Sequence, residues 1–280
     1  MKKTFFIVIL SLSLFCFAEF TYARTDEPVI YPISFQIEIQ NWETVNILLP
    51  KYSKFTVVDV ESGKSFDVQR RAGSRHADVQ PLTREDTKIM KEIYNGNWSW
   101  RRRAILILAH DSLIPASMHG MPHGAGSLPN GFRGHFCIHF WGSTTHRTGR
   151  SDINHQVMIL KAAGRIDEYM NNLPPSQLLS VLFVTIKNGD KGLAENIAIS
   201  NKKNIKKELK KIEKIEAIQW ALLQTKETDP YTIATEIPVK VNLFIKNKGL
   251  IRTKLTITLV RTSPLSPWKV NIDPLLSTIN

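Results

Sequence analysis

Residues 116–146 read ASMHGMPHGAGSLPNGFRGHFCIHFWGSTTH, and this stretch decides what the first half of the chain builds. It holds five of the eight histidines, His119, His123, His135, His139 and His146, around Cys137, with glycines that let the backbone turn tightly between them. The other three, His76, His110 and His155, flank it. A cysteine becomes a thiolate nucleophile when a base titrating near neutrality sits beside it, and imidazole is the side chain best suited to that task. The stretch is therefore a candidate active site.

Working upstream, Ala104–Ala109 and the run from Leu113 to Met118 are short, apolar and β-prone, separated by His110, Asp111 and Ser112. A hairpin there delivers His119 to the rim of a sheet, with its backbone fixed and its side chain free. Lys54–Val60 and Ser65–Val68, joined by Glu61-Ser62-Gly63-Lys64, predict a second hairpin. Thr83, three residues before Asp86, predicts a capped helix running to about Tyr94 and stopped by Asn95-Gly96-Asn97. His76 with Asp78 reads either as a pair that orients a base or binds a metal, or as a surface loop. Val29–Ile39 and the run Val45–Leu49 read as one or two strands of a lead-in. Trp98, Trp100 and Trp141 are candidates to line a groove or to pack at its rim.

Working downstream, His146 reads as part of the loop leaving the site, and Asn154–Ala163 as a helix packed beneath it, with Val157, Leu160 and Ala163 on one face. The composition changes near residues 164–170, where we place a domain boundary. Leu173-Pro174-Pro175-Ser176 opens a helix whose apolar body is Leu178–Ile186, Asn188-Gly189-Asp190 stops it, and Lys191–Ile199 reads as a second short helix. Lys202–Glu216, with Ile205, Leu209, Ile212 and Ile215 at helical spacing, predicts an amphipathic helix with a solvated lysine face or one that touches an anionic polymer or membrane. Strands follow at Trp220–Gln224, Ile237–Lys246, Leu250–Val260 and Trp268–Ile272, with Asn247-Lys248-Gly249 as a hairpin turn.

An apolar content of 42% over 280 residues builds real cores and excludes a disordered chain. Met1-Lys2-Lys3, the apolar run Thr4–Ala18 and the small residues at Thr21 and Ala23 predict a signal peptide, residues 1–23, and export to a secreted or cell-wall location. No transmembrane segment is expected after its cleavage. Cys16 leaves with that segment, so Cys137 remains as a lone thiol with no internal disulfide partner. The net charge of +12 favours anionic surfaces such as cell-wall polymers or lipid headgroups, and no nucleic-acid motif accompanies it.

At His119 a resemblance becomes specific. Met118-His119-Gly120, a glycine-containing loop and Gly134-His135-Phe136-Cys137-Ile138-His139 resemble the signature of the L,D-transpeptidase family with the YkuD-type catalytic domain. The likeness covers roughly residues 45–164, and its decisive motif about 20 of them. It implies a mainly β catalytic domain of L,D-transpeptidase-like β-sandwich type. Cys137 is then the nucleophile, His119 its base and His135 the histidine two before the cysteine, with Gly120, His123, Gly134, Phe136, His139 and Trp141 around the substrate. The implied acyl donor is a peptidoglycan stem peptide, and no cofactor and no metal are required. Phe136 stands where the family has glycine, and His139 where it has arginine.

Residues 168–280, helices and then a curled antiparallel sheet, resemble in pattern the NTF2-like (cystatin-like) accessory domains, an α+β fold that carries no catalytic motif. The expected layout is thus a signal peptide (1–23), a lead-in (24–44), a catalytic domain (45–164) and an accessory domain (168–280). Two alternatives stay open. His119, His123, His135, His139 and Cys137 are ligand types that zinc prefers, which allows an exported zinc-dependent peptidoglycan peptidase or amidase, although Pro122 argues against a helical zinc pair. A catalytically inactive wall-binding module is the other.

Overall fold

A computed structural model describes residues 36–145, 149–223 and 228–279. The export segment, most of the Val29–Ile39 run, His146 and Gln224 lie outside them. Helix α1 (Trp42–Leu48) comes first, where a strand was expected. Its buried residues Trp42 and Val45, followed by buried Leu49, recur at helical spacing, so one face of about two turns docks on the core. Arg70 closes its C-terminal end: the buried guanidinium donates to the Leu49 carbonyl at 2.5 Å and to Asn46 Oδ1 at 2.6 Å, and it stacks on Trp42.

Six strands follow: β1 (Lys54–Asp59), β2 (Ser65–Ala72), β3 (Ala77–Pro81), β4 (Arg102–Ala109), β5 (Ser112–His119) and β6 (Phe136–His139). Both predicted hairpins form, β1–β2 and β4–β5. His110 and Asp111 turn the second with φ of 48° and 59°, the left-handed pair that matches strand twist. Helix α2 (Arg84–Ile93) carries the predicted capping box, with Thr83 accepting from the Asp86 amide and the Asp86 carboxylate accepting from the Thr83 amide. The β-rich character is as expected. Where the resemblance implied a sandwich, however, β1 pairs with both β2 and β4, and the strands close into an antiparallel barrel in the order β1-β2-β3-β6-β5-β4. The β1–β4 pairing joins segments some 50 residues apart, so no local signal announces it. The barrel interior is one core, built from residues such as Val57, Val68, Ile105, Ile107, Met118, Phe136 and Ile138 with α1 and α2 against it.

A second core lies beyond. Helices α3 (Ile153–Ala162), α4 (Ile166–Asn171), α5 (Pro175–Asn188) and α6 (Lys191–Ile197) pack with a five-stranded sheet of β7 (Ala198–Ile199), β8 (Ile215–Leu222), β9 (Ala234–Ile245), β10 (Gly249–Val260) and β11 (Lys269–Asn271), in the order β7-β11-β10-β9-β8. α5 starts at a proline and ends at Gly189 in the left-handed conformation (φ 73°), as its sequence predicts. The charge-dense run 202–216 does not form one long helix. α7 (Ile205–Leu209) gives way to a 3₁₀ turn over Lys210–Lys214, which buries Leu209 and Ile212 and releases Ile215 to start β8. A short α8 (Asp273–Ser277) follows β11. Helix α3 packs on β4 and β5 of the barrel, yet its apolar residues Val157, Met158 and Leu160 belong to the second core.

Candidate active site

Strand register builds the site. β3, β6, β5 and β4 lie side by side, with Asp78 opposite Cys137, Met118 opposite Ile138 and Arg102 opposite His119. One row across four strands therefore turns Asp78, Cys137, His119 and Arg102 to the same side. The neighbouring row on that side carries His139, opposite Ser117. Side chains alternate along β6, so Phe136 and Ile138 point the other way, into the barrel core. Phe136 packs on Phe66 and Phe132 at ring distances of 6.3 and 5.8 Å and is fully buried. The bulky residue at this position thus leaves the pocket open, which corrects its assignment as a substrate contact.

The thiol is 3% exposed. Its nearest imidazole nitrogen is His123 Nε2, at 3.3 Å from Sγ. His123 Nδ1 lies 3.0 Å from the Met121 carbonyl, which can only accept, so the ring proton sits on Nδ1 and the Nε2 lone pair faces the sulfur. His119, the expected base, differs. The Met121 amide donates to its Nδ1 at 3.4 Å, which leaves its proton on Nε2. Burial, then the Arg102 charge, holds its pKa well below the ordinary histidine range, so the ring stays neutral.

The loop between β5 and β6 delivers His123 through a mutual backbone pair, His123 N–H to the His135 carbonyl at 2.9 Å and the reverse at 2.8 Å. Gly134 (φ 98°) makes this approach possible, because a Cβ there would meet the His123 carbonyl oxygen at 2.3 Å. Gly120 packs on the Tyr94 ring, which a Cβ would strike at 2.4 Å. Both glycines, expected near substrate, thus have packing roles that set the loop's path.

His135 donates from Nδ1 to the Ala125 carbonyl (3.0 Å) and turns Nε2 toward Asp78 Oδ1 (3.8 Å). His76 likewise uses Nδ1 on the Thr144 carbonyl (2.8 Å) and faces Asp78 with Nε2 (3.3 Å). Asp78 also lies 3.7 Å from the sulfur. Burial first, and then the Asp78 carboxylate, push the Cys137 pKa up, so the resting group is the neutral thiol. Farther in, the rings of His76, His139 and His155 stack, with centroids 4.4 and 3.7 Å apart. Arg102 donates from Nε to His155 Nε2 (3.3 Å) and pairs with Asp152 (3.1 Å), and His155 Nδ1 meets Ser117 Oγ at 2.9 Å. Burial, then His139, lowers the His155 pKa well below its usual value.

A cavity of about 510 Å³ opens onto Cys137, lined also by His119, His123, His139, Arg102 and Trp100. Trp100 is half exposed at its mouth, with its ring 4.7 Å from His119 and 5.4 Å from His123. Trp98 instead packs edge-on against Phe132 in the barrel core. Trp141 lines a separate hollow with Ile39, Leu160 and Tyr169, which corrects its placement beside the substrate. Asp78, Arg102 and Trp100 are the residues whose share in the site the sequence left unassigned or open. Asp78 was visible only as a partner of His76, because its place beside Cys137 depends on the β3–β6 register.

The ligand atoms of His119, His123 and Cys137 lie within 4.8 Å of one another, as do those of His76, Cys137 and His139 and those of Asp78, His135 and Cys137. These N, S and O donors are of the kind that holds zinc. Comparison with family models, curated proteins and solved structures found no match.

Proposed function

We propose that this protein is a cysteine acyltransferase of L,D-transpeptidase or L,D-carboxypeptidase type, exported to the cell wall and acting on peptidoglycan stem peptides. The observation that carries the reading is the 3.3 Å approach of His123 Nε2, in its unprotonated tautomer, to Cys137 Sγ at the floor of an open cavity. The base is assigned to His123 and no longer to His119.

The thiol rests neutral, so proton transfer accompanies attack. The S–H proton passes to His123 Nε2 as the S–C bond forms on the donor carbonyl. The resulting imidazolium then protonates the amine nitrogen as the C–N bond breaks, leaving a thioester. An acceptor amine or water attacks that thioester, its proton returns through His123, and the thiol is regenerated. His119, neutral with a proton on Nε2, is suited to donate to the oxygen that gains charge during attack.

Digestion of isolated wall peptides tests this. Cys137→Ala is expected to abolish turnover, and His123→Gln to lower kcat by about 10²–10⁴-fold, the range of positioned acid–base groups. His119→Gln is expected to cost less. Persistence of turnover in Cys137→Ala would refute the reading.

A second reading, a zinc-dependent peptidase, is favoured by one observation, the clustering of the His119, His123 and Cys137 ligand atoms within 4.8 Å of one another. It predicts loss of activity with chelator and recovery with zinc, where the thiol enzyme is indifferent to chelator and stopped by alkylation.

A further inference from the structure

The exposed face of the second sheet carries a pattern that the site does not use. Register fixes which residues share it: Ala217, Phe244 and Leu250 form one row, Gln219, Asn242 and Arg252 the next, and Ala221, Lys240 and Lys254 a third. The alternate residues, among them Ile218, Val239, Val241 and Leu243, are buried in the second core. Beyond the third row lie Pro238 with Thr256, and then Glu236 with Thr258. Three cations thus occupy these rows with one acid, Glu236, at the far end and exposed Glu216 in the β8 bulge beside Ala217 at the near end, where Phe244 and Leu250 are 45% and 49% exposed.

Two features of this face oppose stability in water alone. Lys240 and Lys254 are direct cross-strand partners, which sets their Cβ atoms roughly 5 Å apart and places two like-charged side chains next to each other. Among the described residues neither has an ion pair, and neither does Arg252. Lysines often guard an open sheet edge, and that explains Lys254 on β10, which pairs with β11 only at Leu259 and Val260. It does not explain Lys240, because β9 is paired on both sides. Phe244 opposite Leu250 adds a large apolar pair turned to solvent.

We propose that this sheet face is a docking surface for an anionic lipid bilayer, with Phe244 and Leu250 entering the headgroup boundary and Lys240, Arg252 and Lys254 facing the lipid phosphates. A soluble polyanion accounts for the cations but leaves the paired apolar side chains in water. The bilayer surface satisfies both. No helix among the described residues is long and apolar enough to cross a membrane, so the association is peripheral. It does not depend on the chemistry assigned to Cys137.

The test uses the chain from Arg24 onward, which keeps every described residue and omits the apolar run 4–18, a segment able to bind lipid by itself. Co-sedimentation with phosphatidylglycerol vesicles is expected to exceed that with phosphatidylcholine vesicles by at least about tenfold and to weaken with salt. K240E/K254E and F244S/L250S are each expected to lower phosphatidylglycerol binding by about tenfold or more. Thermal denaturation confirms that each variant is folded, and the single Lys254→Glu substitution serves as a milder arm. Equal sedimentation with both vesicle types, or none, overturns the proposal. So does loss of binding in K240E/K254E with none in F244S/L250S, which marks a soluble polyanion as the partner.

Discussion

In the barrel, the row across β3, β6, β5 and β4 turns Asp78, Cys137, His119 and Arg102 toward a largely buried end. In the second sheet, the rows across β8, β9 and β10 turn Lys240, Arg252 and Lys254 to solvent. Both surfaces come from the same two-residue alternation, and burial separates them. A polar group removed from water needs a partner, so Asp78 and the imidazoles form one connected set of contacts. A charge left in water keeps its hydration, so the cross-strand repulsion of Lys240 and Lys254 lowers stability without preventing the fold. The barrel end is therefore a site of partnered polar groups in which burial holds His119 and His155 neutral, and the sheet face one of hydrated charge.

The comparison can be tested most strongly at its two phenylalanines. Phe136→Ala removes a ring from the barrel core and is expected to cost about 3–5 kcal/mol in denaturant unfolding. Phe244→Ala, on the open sheet face, is expected to stay within about 0.5 kcal/mol. Equal costs would mean that the alternation along β6 or β9 has been misassigned.

Acid should reach the barrel end first. Burial holds His119 and His155 neutral in the folded chain, whereas the unfolded chain protonates both near pH 6.5. Their contribution is thus fully present above that pH and is lost as pH falls toward the lowered folded values. The expected slope is at most about 1.4 kcal/mol per histidine per pH unit. No histidine follows residue 155, so the second sheet supplies none of this term. Urea midpoints at pH 7, 6 and 5 should fall accordingly, and His155→Gln should flatten the fall. A smaller effect is expected at the α2 cap, where Thr83→Ala should cost about 1 kcal/mol in the same measurement.

How much of this was legible in the sequence follows the same division. Wherever a local interaction decided the outcome, the residues announced it: the Thr83–Asp86 box, the His110-Asp111 turn, the Gly189 helix stop, and Asn247 (φ 64°) with Gly249 (φ 79°) between β9 and β10. The arrival of His119 at the end of β5 was read correctly for the same reason. Contacts between distant segments were silent. Closure of the barrel through β1–β4, the helical state of Trp42–Leu48 and the folding of 202–216 into two short turns all depend on what those segments meet. The approach of His123 to the sulfur belongs to this class too, since it rests on a two-bond clasp between residues 123 and 135 that Gly134, with Gly124 against the His135 ring, permits.

The most direct measurement is the mass of the intact protein after brief incubation with stem tetrapeptides, followed by peptide mapping. The account predicts an acyl adduct on Cys137 that forms with or without chelator, is absent from Cys137→Ala and forms far more slowly in His123→Gln. Turnover with no adduct, abolished by chelator and restored by zinc, would contradict it.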